Sequence, residues 1–213
     1  MQKNKKIAAE PKYHHGDLRR AIMQAALQLV EESGLQHLSL REIARKIGVT
    51  TAAPYHHFKD KGELMEAVAM EGWRELNTAI GKARSDAADP RHALSNIGVA
   101  YVVFATAHPA LYRIMYDSAC DKADMPQAKG DEETGWGHVR AALIEAGADP
   151  TDERGLQVAT IAAWCAAHGV AEMVGFKEFE PLKKAYGGDV PFIRAVLGHV
   201  GLFDHLRRVP PLA

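Results

Sequence analysis

The chain has 213 residues, of which 47% are hydrophobic and 25% charged, enough for a large core with a small module attached. Its net charge of −1 hides an asymmetry: residues 1–62 carry 11 basic and 6 acidic side chains, whereas the remainder is net −6. A basic head on an acidic body confines any affinity for polyanions to the head. The two cysteines, Cys120 and Cys165, are too few for a disulfide framework, and no zinc-cluster spacing occurs. No apolar run approaches the roughly 18 residues of a membrane span. The basic start, MQKNKKIAAEPKY, lacks the hydrophobic stretch of a secretory signal. A cytoplasmic protein without membrane contact is therefore expected.

In chain order, the basic tail of residues 1–12 reads as a flexible segment placed to reach DNA phosphates or to remain solvated. A first helix is expected over about Asp17–Ser33, with Leu18, Ile22, Ala25, Ala26, Leu29 and Val30 on one face and a stop at Gly34. The most informative stretch follows, SLREIARKIGVTTAAPYHHF over Ser39–Phe58. Ser39 is the expected N-cap, and Glu42 completes an S-x-x-E capping box. Leu40, Ile43, Ala44 and Ile47 recur at helical spacing, and Gly48 stands where a left-handed residue turns the chain. Val49 plugs the turn, Thr50 is placed to cap a second helix, and Pro54 sits where few backbone donors have helical partners. Two short helices hinged at a glycine form a helix-turn-helix.

The outward positions of that element suit DNA. Thr50, Thr51, Ala52, Tyr55 and His56 supply hydroxyls, a methyl, a phenol and an imidazole, and Lys59 and Lys61 follow. No acidic residue lies between Arg45 and Lys59. Thr50, Thr51, Tyr55 and His56 are expected to face the groove, with Thr51 and Ala52 nearest base edges. Ser39, Arg41, Tyr55, His56, Lys59 and Lys61 are candidates for phosphates.

The run G-L-x-x-L-S-L-R-E-I-A-x-x-I-G-V, followed by A-P-Y-H-H-F-K-D-K-x-E-L, resembles the DNA-binding domain of the TetR/AcrR family from about Tyr13 to Leu64. The resemblance implies a bacterial regulator. It implies an all-α fold with an N-terminal three-helix helix-turn-helix domain, followed by a larger helical ligand-binding and dimerisation domain. The domains expected are 13–62 for DNA and 63–213 for effector binding and dimerisation. Trp164, His168 and Gly169 in AWCAAHGVAEM are similar to the Trp-His-Gly motif that names one subgroup of such C-terminal domains.

Beyond the head, a long helix is expected from Asp60 towards Ala88 through Leu64, Val68, Trp73, Leu76 and Ile80. Its D-x-x-E start repeats the capping logic, and no Gly, Ser or Pro linker separates it from the head. It reads as a stiff rod able to transmit motion. Asp89-Pro90 opens the next helix, with Leu94, Ile97, Tyr101 and Phe104 apolar, and His108-Pro109 ends it before ALYRIMYD. Residues 118–134 read as a loop. Helices are then expected over Trp136–Ala146, Thr151–Phe176 and, after a turn at Gly187-Gly188, Pro191–Arg207.

Phe104, His108, Tyr112, Met115, Tyr116, Trp136, Trp164 and His168 gather as an aromatic group with a few polar tips, suited to a small, largely apolar effector. A dry packed core is the alternative reading for any one of them. The last two long helices are apolar around more of their circumference than one covering layer needs. The family resemblance implies a four-helix homodimer interface there, with Ala163, Ala167, Phe192, Val196, Val200 and Phe203 as candidates; the alternative is that the two helices only close the monomer's own core. No phosphate loop, dinucleotide fingerprint, nucleophile elbow or metalloprotease helix is present, so neither an enzyme, a metal site nor a cofactor is expected. The function expected is a homodimeric repressor of a palindromic operator, released by a small molecule. An effector-independent architectural DNA binder is the alternative, and a helical enzyme is the remote one.

Overall fold

The computed structural model describes residues 15–117 and 133–200, and every element among them is helical. The chain begins with α1 (His15–Ser33), a 3-10 turn (Leu35–His37), α2 (Leu40–Ile47), a second 3-10 turn (Ala53–His56) and α3 (Lys61–Ser85). It continues with α4 (Pro90–Ala107), α5 (Pro109–Tyr116), α6 (Gly135–Glu145) and α7 (Glu153–Met173). A 3-10 turn (Lys177–Phe179), α8 (Glu180–Ala185) and α9 (Asp189–His199) complete it. The chain divides into two compact units between Val68 and Ala69, a point inside α3.

In the first unit, α1 contributes Ile22, Ala25, Ala26 and Val30 to a core shared with Leu38, Leu40, Ile43, Ala44, Phe58, Leu64, Met65 and Val68. Ala44 is fully buried, and its lack of bulk allows the close helix packing that a larger side chain would oppose. Gly48 ends α2 at φ 72°, a left-handed conformation that costs an L-residue strain, and its N–H bonds back into the last turn. The α2 cap is half of the expected box. Ser39 Oγ accepts from Glu42 N at 3.2 Å, but the Glu42 carboxylate is turned to Arg45 in an i,i+3 ion pair. At α3 both side chains cap: Asp60 Oδ1 accepts from Glu63 N at 2.9 Å, and Glu63 Oε2 reaches one residue past the cap to accept from Lys59 N at 2.6 Å.

In the second unit α4 is central, packed by α6, α7 and α9. It buries Ala93, Leu94, Ile97, Val99, Tyr101, Val102, Phe104 and Ala105, which span most of its circumference. Such a helix must be covered on several sides. Trp73, Leu76 and Ile80 of α3 join this core. A Cβ at Gly72 would stand 2.6 Å from Met115 Sδ and 2.8 Å from Leu111 Cδ1, so both side-chain ends would have to shift to admit it.

The turn at Gly187-Gly188 is present, with both glycines at positive φ. Between α7 and that turn, where no element was expected, stand a 3-10 turn and α8, with Lys183 buried and paired to Glu180 at 2.8 Å and Asp189 at 3.3 Å. Two expectations need correction. Helix α3 ends at Ser85 rather than running to Ala88. The second helix of the helix-turn-helix is a short 3-10 turn for which Ala52, not Thr50, occupies the N-cap, without a side-chain capping bond. Pro54 accounts for that geometry: it has no N–H to return to Thr50, so Ala53 N→Thr50 O and Tyr55 N→Ala52 O close tighter i→i+3 rings. Residues 1–14, 118–132 and 201–213 lie outside the described residues, and with them the tail, most of the expected loop, and Phe203.

Candidate nucleic-acid interface and aromatic site

The reading turn is held from beneath and open above. Pro54 and Phe58 are buried, whereas Thr50, Thr51, Ala52, Tyr55 and His56 are exposed, Tyr55 by 49%. Burial at 54 and 58 fixes one side of this turn, leaving the intervening polar tips on the other. Arg19 of α1 secures its end: the guanidinium lies 4.3 Å from the centre of the Phe58 ring, and Nη1 donates to His57 O at 3.2 Å. Cation–π and hydrogen-bond geometry from one side chain thereby fix the last residues of the turn.

The phosphate candidates differ in what holds them. Arg41 and Lys59 are exposed. Ser39 is half-buried as the α2 cap, but its hydroxyl accepts there and retains a hydrogen to donate. Lys61 is part-buried and its Nζ donates to Leu35 O at 2.7 Å, which ties the start of α3 to the turn after α1. Lys46 is paired with Glu32 at 2.7 Å.

In the second unit the candidate effector residues separate into groups. Tyr112, Tyr116, Trp164 and His168 meet around Tyr101, a residue that the apolar spacing of α4 identifies as core but not as the hub. Tyr101 OH lies 2.6 Å from Tyr116 OH, 3.1 Å from Tyr112 OH and 3.2 Å from His168 Nδ1. Tyr112 OH lies 2.6 Å from His168 Nδ1, and Trp164 Nε1 donates to Tyr116 OH at 3.1 Å. The indole can only donate, so Tyr116 OH accepts from it. One arrangement that gives each hydrogen an acceptor runs Trp164 → Tyr116 → Tyr101 → Tyr112 → His168, with His168 Nδ1 as the final one. Burial raises all three tyrosine pKa values, that of Tyr116 to about 12. The phenols are thus neutral hydrogen-bonding groups rather than bases.

Trp73 borders this cluster, 5.2 Å from Tyr116 between ring centres, and its buried indole N–H has no partner among the described residues. Trp136 stacks on Trp164 at 5.2 Å with an interplanar angle of 7°. Phe104 and exposed His108 form a tilted pair of their own, and Met115 packs against Gly72. Among the described residues, these side chains pack against one another through hydrogen bonds and ring contacts. The void lined by Ile80, Leu94, Tyr101, Val139 and Trp164 measures about 10 Å³, room for one water and no effector.

Ala163, Ala167 and Phe192 are buried within the chain. The ring of Phe192 is covered by Phe179 and Tyr186, each 6.0 Å away. Val196 is half-buried and Val200 is 45% exposed. The apolar surface that α7 leaves open is a different stripe, Val158, Ile161 and Met173, with Cys165 and Gly169 between them. Period alone could not separate these stripes, because small residues occur on both.

Among the described residues no His, Cys, Asp or Glu cluster has metal-binding geometry. No single helix among them is long and apolar enough to cross a membrane.

Two family models match. One, for bacterial regulatory proteins of the tetR family, covers residues 22–68, and one for the tetracyclin repressor-like C-terminal domain covers residues 94–189. Nucleoid occlusion factor SlmA of Photobacterium profundum is 32% identical over 98 residues, 46% of this chain and 50% of that protein. The chain spans half or less of the length of the curated relatives it matches. A Rhodococcus protein of unknown function has a similar structure, with a TM-score of 0.65 and 27% identity over 91% of this chain and 97% of that one. The TetR-family transcriptional regulator PfmR from Thermus thermophilus shares the fold, with a TM-score of 0.61 and 21% identity over 88% of this chain and 99% of its own. With matches to both its N-terminal and its C-terminal models, the chain belongs to the TetR family of bacterial regulatory proteins, which are regulators and not enzymes.

Proposed function

We infer that the protein is a homodimeric, sequence-specific DNA-binding repressor whose operator affinity falls when a small molecule binds its C-terminal domain. The observation that carries DNA binding is the reading turn: five exposed tips over Thr50–His56, no carboxylate from Lys46 to Lys59, and an anchored underside. Thr51 and Ala52 reach base edges, while Tyr55, His56, Arg41, Lys59 and the Ser39 hydroxyl meet phosphates. Lys61 serves chiefly to brace α3. The DNA-binding head extends past the expected boundary at residue 62 to Val68, and the effector and dimerisation domain begins at Ala69, with α3 as the continuous link.

Dimerisation uses the part of the open stripe of α7 around Cys165, Gly169 and Met173 together with Val196 and Val200, since contiguous exposed apolar surface is unusual for a side that stays in water. The effector acts at the Tyr101–His168 cluster, where it replaces internal hydrogen bonds and offers an acceptor to the Trp73 N–H. A ligand shifts the DNA-binding equilibrium only by its differential affinity for two states, typically ~1–3 kcal/mol, or roughly 5–150-fold.

Selection of duplexes from a random library tests the reading. It should yield a palindrome with half-site centres about one helical turn apart or somewhat more. Binding of random duplex as tight as that of any selected sequence contradicts it. Trp164→Ala and His168→Ala should then alter effector release more than bare operator binding.

A further inference from the structure

A second opening in the C-terminal unit belongs to neither the hydrogen-bonded cluster nor the reading turn. It is a cleft of about 300 Å³ between the start of α6 and the first half of α7, lined by Thr134, Trp136, Gly137, Arg140, Gln157 and Ile161, with Glu153 and Thr160. That volume is at the lower end of small-molecule sites. Its polarity is sorted. Trp136, Gly137 and half-exposed Ile161 provide apolar surface, and the charged groups are Arg140 and Glu153. Thr160 adds little polarity, because its hydroxyl is buried and donates to Leu156 O at 2.7 Å.

The charged end is donor-rich. Arg140 Nη2 pairs with Glu153 Oε2 at 2.6 Å, and Gln157 Nε2 approaches Glu153 Oε1 at 3.5 Å. Both carboxylate oxygens are thus engaged, whereas a guanidinium has five N–H donors and this pair uses one of them. The apolar end is rigid. Trp136 is stacked flat on Trp164, and Gly135 N donates to Asn77 Oδ1 at 2.8 Å, fixing the first residue of α6 to α3. A Cβ at Gly135 would lie 3.0 Å from both Asn77 Oδ1 and the Trp164 ring, so the packing there is tight.

We propose that this cleft binds a small planar apolar molecule bearing one carboxylate, its ring against Trp136 and Ile161 and its carboxylate on Arg140. The site is distinct from the Tyr101–His168 cluster and does not depend on the effector reading above. Through Trp136 on Trp164, an occupant would nonetheless touch the donor end of the hydrogen-bond chain.

The test is a fluorescence titration of the full chain with 1-naphthoate and with its neutral analogue 1-naphthalenemethanol. Arg140→Gln should weaken naphthoate by about tenfold or more, the loss of a charge-assisted contact, and should leave the neutral analogue within about twofold. Ile161→Trp, which fills the cleft, should abolish both. Arg140→Lys should restore part of the naphthoate affinity. Thermal unfolding and sedimentation of each variant identify any that misfold or change assembly, and Gln157→Trp supplies a second filling variant. Naphthoate affinity indifferent to Arg140→Gln, or undiminished by both filling variants, overturns the proposal. So does a wild-type protein that binds neither probe, the result expected if a second copy of the chain covers the cleft. Because the readout is binding without DNA, failure here leaves operator recognition untouched.

Discussion

Tyr101→Phe should be the most damaging removal of a single oxygen from the C-terminal unit. The substitution keeps the ring, which is 1% exposed and edge-on to Trp164 at 5.1 Å, so packing is retained and only the hydroxyl is lost. In the arrangement that runs from Trp164 to His168, Tyr116 donates to Tyr101 at 2.6 Å, and the truncation leaves that buried donor without its acceptor. An orphaned donor costs about 1–3 kcal/mol. Tyr112→Phe is the control. It removes the 2.6 Å bond to His168, but Tyr101 OH stands 3.2 Å from the same Nδ1 and can serve it, so the cost should be about 0.5–1.5 kcal/mol. All three tryptophans lie beyond Val68, so indole fluorescence during urea unfolding reports on the C-terminal unit alone. Midpoints at unchanged slope give the two differences. Tyr112→Phe costing as much as Tyr101→Phe, or both costing under about 0.5 kcal/mol, refutes the assigned direction.

Three further outcomes are expected. Arg19→Leu should destabilise the head by about 1–2 kcal/mol, the sum of an exposed cation–π contact and one hydrogen bond, and should weaken specific DNA binding although Arg19 need not touch DNA; far-ultraviolet melting and gel shifts check it, and unchanged values for both refute the pinning role. His138 should make stability depend on pH. Burial and the nearby Arg84 hold its pKa below the ordinary value of 6.5, and its Nδ1 is buried without a partner among the described residues. The unfolded chain then binds the proton more readily, so this contribution is intact above about pH 6.5 and is lost as pH falls towards the lower folded value. Denaturation of His138→Leu across that range should show a shallower pH slope than the parent, and identical slopes count against it. In alkaline titration at about pH 11, Tyr101, Tyr112 and Tyr116 should stay protonated while the protein is folded and ionise only as it unfolds, as ultraviolet difference absorbance reads. Ionisation of these three before unfolding contradicts the buried network.

The sequence made the head legible to within a few residues because each signal there is local. Ser39 caps within three residues, Gly48 turns at its own φ, and Leu40, Ile43 and Ala44 fall on one face by helical period alone. What it could not convey depends on competition or on distant partners. Glu42 had two places to go and chose Arg45 over the cap. Pro54 was visible, but its tightening of the turn to i→i+3 bonding depends on the backbone path around it. The hub position of Tyr101 depends on α5 and α7 arriving at the same height on α4, and nothing in local spacing encodes that. Close packing within a chain and between chains requires the same small side chains, so the spacing of Ala163 and Ala167 does not distinguish the two.

Operator binding measured against salt tests the central claim most directly. On a selected palindrome, log affinity should fall linearly with log salt concentration. Lys59→Ala should reduce the slope by about one per subunit contact and weaken binding similarly on all sequences, whereas Thr51→Val should change the preferred sequence and leave the slope alone. The account is contradicted if the wild-type slope is near zero, or if neither substitution alters affinity, slope or preferred sequence.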